Sequence, residues 1–127
     1  MINGAHFLRY SGDPEADRAF LRDTLGFPSV DAGRGWLIFA LPPGEIAVHP
    51  AEDAASPSAA GDGVVGAALY LMCDDLGSTM KRLGSSGVRF SEVEEPRWGS
   101  VTTFALPSGA KIGLYQPRHP TALELKR

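Results

Sequence analysis

His6 and His49 are the residues of the first half best suited to chemistry, and Glu45 lies close to His49 along the chain. An imidazole can accept a proton near neutral pH or offer a lone pair to a divalent metal. A carboxylate could add an oxygen donor. Several such donors must converge on one point before a divalent ion is held against water. His6, His49 and Glu45 make a minimal set of that kind, and His6 alone is a candidate general base. The lone cysteine, Cys73, is followed directly by Asp74 and Asp75. Their charges raise a thiol pKa, which makes Cys73 a poor nucleophile. One cysteine also excludes a disulfide framework or a Cys-rich zinc site. No glycine-rich phosphate loop, nucleophile elbow or Ser/His/Asp arrangement stands out.

Aromatic side chains are the second kind of candidate. Trp98, in "PRWGS", falls in an expected loop ahead of a strand. A loop tryptophan has little packing role of its own and is expected to form a pocket wall or a dimer contact. Trp36 precedes an apolar stretch and is expected in a core or an interface. Tyr70 and Met72 share one face of an expected strand, and Tyr115 falls in the last apolar segment of the chain.

These residues must be positioned by a single domain, because 127 residues at 43% hydrophobic and 21% charged fit one core of ordinary size. The net charge of −3 comes with no basic cluster, which argues against nucleic acid as a partner. No apolar run approaches the ~20 residues that span a bilayer, and no signal pattern opens the chain. A soluble, cytoplasmic protein is expected, with no membrane partner.

The chain repeats itself. "FALPPGEIAVHP" covers residues 39–50 and "FALPSGAKIGLYQP" covers 104–117. Asp13-Pro14 reads as a helix start, and Ala16, Phe20, Leu21 and Leu25 share one helical face before Gly26. Asp74-Asp75 can cap a second helix, with Leu76, Met80 and Leu83 on one face and Gly84 or Gly87 at its end. Strands are expected over 4–10, 28–31, 35–41 and 45–49, and again over 67–73, 88–92, 100–105 and 111–116. The organisation is therefore a first βαβββ module over 1–50, a linker over 51–64, a second module over 65–117 and a polar tail over 118–127. The tail is expected to run over the surface or fray. A helix covers only one face of each module's sheet. Two modules side by side would form a curved mixed sheet around a cleft, with helices on the outer face, an α+β fold.

"GAHFLRYSGDPEADRAFLRDTLGF" resembles the opening of the vicinal oxygen chelate superfamily, which includes glyoxalases, extradiol dioxygenases, fosfomycin-modifying enzymes and bleomycin-resistance proteins. "CDDL" at 73–76 and "LPSGAKIGLYQP" at 106–117 are similar to the matching parts of a second module. The resemblance covers roughly residues 2–117. It implies metal-ligand positions on the first and last strands of each module. Those positions fall at His6, Ala47, Ala67 or Ala68, and Gly113. Only His6 carries a donor. His49, two residues beyond Ala47, would share its face ~6–7 Å along the strand. Tyr115 stands in the same relation to Gly113.

The resemblance thus implies a small-molecule-binding protein of the bleomycin-resistance type without the usual metal site. Its ligand would be a small, partly aromatic organic molecule bound by His6, Trp36, Ala47, His49, Tyr70, Trp98, Gly113 and Tyr115. A homodimer and no cofactor are expected. The alternative is a glyoxalase- or dioxygenase-like enzyme with a shifted divalent-metal site at His6, His49 and Glu45, or with His6 as general base. In a third reading, side chains fill the cleft and the protein acts through an interface.

Overall fold

The structure is a computed structural model that describes residues 6, 7, 9, 11–47 and 67–125. The expected linker and His49 lie outside these residues. The first helix, α1 (Pro14–Ala19), begins as its sequence dictates. Asp13 is the N-cap, its carboxylate accepts the Ala16 N–H at 3.2 Å, and Pro14 occupies the first turn. A π-helical turn over Phe20–Thr24 continues it. Gly26, at φ 74°, ends the segment while the Phe27 N–H reaches back to the Leu21 carbonyl at 3.0 Å. The strands β1 (Ser29–Asp31) and β2 (Leu37–Phe39) follow as an antiparallel hairpin with Val30 opposite Ile38.

The second half is more regular. β3 (Tyr70–Met72) leads into α2 (Leu76–Gly84), and then come β4 (Gly99–Ala105) and β5 (Lys111–Pro117). Asp75, rather than Asp74, caps α2 by accepting the Ser78 N–H at 2.9 Å. Gly84 stays inside the helix, and Gly87, at φ 91°, supplies the left-handed residue after it. β5 is the centre of the sheet, parallel to β3 and antiparallel to β4.

Alternation along β5 separates the two sheet faces. Ile112 and Leu114 face α2 and join Leu76, Leu83, Phe104 and Leu106 in the core. Each such buried side chain contributes about 1.5–3 kcal/mol. Phe20, Leu21 and Leu25 pack against the same cluster, so the first module's helical segment covers the second module's sheet. Asp17, buried on α1, fixes that docking. Its carboxylate accepts the N–H of Ser108 at 3.0 Å and its hydroxyl at 2.7 Å, in the turn between β4 and β5.

Three expected strands differ. Residues 6, 7 and 9 lie in no strand, and neither do 45–47, which are exposed. The strand expected over 88–92 is reduced to isolated bridges from Phe90 to Phe104 and from Glu94 to Val101. Ser91 explains the interruption. Its hydroxyl, in place of a carbonyl, accepts the Thr103 N–H at 2.9 Å, and it also lies 3.1 Å from the Thr102 hydroxyl. A side chain that takes a ladder bond displaces the backbone from it.

Candidate functional site

The sheet face away from α2 carries the aromatic residues. Register places Tyr70 opposite Gly113, and Tyr115 between Met72 and Val101. Trp98 joins them from the turn before β4. Pairwise, the Tyr70, Trp98 and Tyr115 rings meet edge to face. Centroids are 6.0 Å apart for Tyr70–Trp98, 5.9 Å for Tyr70–Tyr115 and 5.3 Å for Trp98–Tyr115. That geometry suits the ring quadrupoles. Tyr115 is buried beneath the group, while Tyr70 remains 45% exposed.

Each ring is held by its local structure. The turn that carries Trp98 is closed by the Gly99 N–H on the Pro96 carbonyl at 3.2 Å. The Arg118 guanidinium locks that turn, donating to the carbonyls of Pro96 at 2.8 Å and Gly99 at 3.0 Å. Gly99 must be small, since a Cβ there would lie 2.5 Å from the Gln116 carbonyl oxygen. A Cβ on Gly113 would fall within the ring of Tyr70. The space left by the missing side chain at 113 is therefore filled by Tyr70.

A residue outside the sequence expectations completes the cluster. His119 stacks on Tyr115 with centroids 5.8 Å apart and planes 25° apart. Its Nδ1 lies 2.8 Å from the Pro120 carbonyl, which can only accept, so Nδ1 carries the proton. In the neutral ring Nε2 is then the acceptor, and the Tyr115 hydroxyl donates to it across 3.0 Å. Burial, helped by the charge of Glu45, raises the Tyr115 pKa above its ordinary value, so the phenol stays protonated. The sequence signal for His119 was weak, because it lies beyond the last strand in a polar tail. That tail is tied down through Arg118 and through the Ala122 N–H, which donates to Glu45 at 2.7 Å.

Of the residues expected to bind ligand, Tyr70, Trp98, Gly113 and Tyr115 come together. His6 is exposed and makes no hydrogen bond among the described residues. Trp36 is 65% exposed, and its ring lies beneath the Arg18 guanidinium, 5.1 Å from carbon to centroid. Ala47 is exposed and lies in no strand. His49 lies outside the described residues, so the set His6, His49 and Glu45 is not seen together. Among the described residues, no group of three His, Cys, Asp or Glu side chains could hold a metal ion. Cys73 is half-buried, and its thiol pKa is raised chiefly by that burial, with Asp74 and Asp75 adding to it. No helix of the described residues is long and apolar enough to cross a membrane.

The fold has counterparts among known structures. The structure matches an antibiotic-binding protein, TnmS3, from Streptomyces sp. CB03234, with TM-score 0.63 and 26% identity over 92% of this chain and 98% of that one. It matches a glyoxalase/bleomycin resistance protein from the same organism with TM-score 0.53 and 27% identity over 84% and 93% of the two chains. A lactoylglutathione lyase from Agrobacterium tumefaciens shares the fold, with TM-score 0.60 and 17% identity over 90% and 92%. Comparison with curated protein sequences gave no significant match. The family model of the glyoxalase, bleomycin resistance protein and dioxygenase superfamily matches residues 5–114, and the chain belongs to that superfamily.

Proposed function

We propose that the chain binds a small, partly aromatic organic molecule against the face formed by Tyr70, Trp98 and Tyr115, without a metal. The observation that carries this reading is the edge-to-face triplet on the helix-free side of the sheet, with Tyr70 45% exposed. Rings fixed by their neighbours offer apolar area to a planar ligand at little entropic cost. The likeness to an antibiotic-binding protein supports the same reading. The donor set argues in the same direction. Ala47, Ala67 or Ala68, and Gly113 supply no metal ligand, and Tyr70 fills the space beside Gly113.

The cleft is completed, in this reading, by the first module in a homodimer, with His6 and Trp36 near its walls. Val30 and Ile38 stand opposite each other on the β1–β2 hairpin, 66% and 43% exposed, and Ile46 is 86% exposed. The exposed Val30–Ile38 pair supports an interaction surface there. In this reading the protein acts in the cytoplasm. A thermal-shift panel of planar aromatic antibiotics and metabolites tests the binding reading. Stabilisation by at least one member that vanishes in Trp98→Ala supports it. Stabilisation by divalent ions alone would favour a metal-dependent enzyme.

A further inference from the structure

Away from the aromatic face, α1 and the β1–β2 turn enclose a second feature. Arg18, Arg22 and Arg34, with Glu15 and the backbone of Gly35, line an open depression of about 240 Å³. The lining brings three guanidiniums and one carboxylate together, with Asp23 and Asp31 bonded to Arg22 and to the Gly35 N–H at its edge. Arg22 is committed to Asp23, through contacts of 2.7 and 2.9 Å. Among the described residues, neither Arg18 nor Arg34 has a carboxylate within 4.0 Å. Arg18 lies over the ring of Trp36, a cation–π contact that restrains it.

The backbone of Arg34 is held by its turn. Its backbone takes φ 55°, between Gly33 at 131° and Gly35 at 83°. The left-handed region is unfavourable for an arginine, so the turn itself must impose it. Asp31 does so. Its Oδ1 accepts the Gly33 N–H at 2.7 Å, and its Oδ2 accepts the Gly35 N–H at 3.2 Å. The Ala32 N–H closes the loop on the Trp36 carbonyl at 2.9 Å. Asp31 thus spends its acceptors on the backbone and leaves the Arg34 guanidinium without a carboxylate partner.

We propose that this depression binds the phosphoryl group of a small organic phosphate, with Arg18 and Arg34 as its anion ligands. Guanidinium forks match oxyanions in bidentate fashion. Two forks approaching from α1 and from the turn suit the several oxygens of a phosphoryl group better than the two coplanar oxygens of a carboxylate. Trp36 is 65% exposed and bears on the site through Arg18, whose guanidinium carbon lies 5.1 Å from its ring centroid.

The test is an amide and indole NMR titration of the full chain with pyrophosphate, at ionic strength held constant with sodium chloride. Saturable shifts are expected at Gly33, Gly35 and the Trp36 indole. Arg34→Ala and Arg18→Ala should each weaken binding about ten-fold or more. Arg34→Lys, which keeps the charge and loses the fork, should fall between them and the native chain. Trp98→Ala should bind pyrophosphate normally, which separates this site from the aromatic face. Shifts that stay linear with concentration, or equal affinity in the native chain and both alanine variants, would overturn the proposal.

Discussion

The ring of Tyr70 occupies the volume that Gly113 leaves open across the parallel β3–β5 pair. This contact sets the shape of the aromatic face. It tilts Tyr70 against Trp98 and Tyr115, where a larger residue at 113 would drive the ring outward.

Gly113→Ala should therefore destabilise the fold by about 1–3 kcal/mol, the range for forcing extra volume into a packed site. Urea unfolding measures it. The Tyr70→Ala, Gly113→Ala double variant should recover part of the loss, since the two positions compete for one space. A fully additive double variant would show that they do not.

Tyr115→Phe should cost about 0.5–1.5 kcal/mol, the net worth of the bond that its hydroxyl donates to His119 Nε2. The ring and its packing stay. Nitrogen NMR of the His119 side chain should still report the Nδ1–H tautomer, since the Pro120 carbonyl holds that proton. Loss of that tautomer in the variant would mean that the Tyr115 hydroxyl, not Pro120, selects it.

Asp17 predicts an acid-sensitive junction between the modules. Burial pushes its carboxyl pKa up, but the hydrogen bonds from Ser108 and Ser11, with the Arg9 charge, outweigh that and hold it below the ordinary 3.8. The folded value is lower than the unfolded one, so the unfolded chain binds more protons as pH falls. The stability from Asp17 is complete above about pH 4 and is lost as pH drops through the folded value. Ser108→Ala should cost about 1.5–3 kcal/mol at pH 7 and flatten the loss of stability between pH 4 and pH 2, taking these as rough bounds. Urea midpoints across that range check both.

Cys73 should react slowly with a disulfide reagent at neutral pH. Its thiol is half-buried, its pKa is raised by that burial, and its Sγ lies 3.5 Å from the Tyr115 carbonyl. The urea-unfolded chain should react faster. Equal rates in the two states would mean that the β3–α2 junction opens freely.

The local signals in the sequence were strong wherever a side chain acts on its own neighbourhood. Asp13 caps the amide three residues on, and Gly26 takes a left-handed turn after its helix, and both were legible. β4 and β5 were equally legible, as apolar, β-branched and aromatic runs bounded by "PRWG" and "LPSG". What failed depended on distant partners. The Tyr70–Gly113 contact needs a parallel register between segments 43 residues apart. The strand expected at 88–92 read well by composition, yet the Ser91 hydroxyl intercepts a ladder bond whose partner is on β4. His119 carried no periodic signal, and its place is set by a ring stack and by the anchoring of Arg118. The similarity of the two repeats also suggested equal last strands, but the described residues 45–47 lie in no strand where 111–117 form the centre of a sheet.

The decisive measurement is calorimetric titration of an aromatic ligand from the thermal-shift panel into chelator-treated protein and into Trp98→Ala. Saturable binding is expected with the same affinity before and after chelation, and at least ten-fold weaker binding in the variant, about 1.4 kcal/mol or more. Binding that disappears on chelation, or that ignores Trp98, would contradict metal-free binding at the aromatic face.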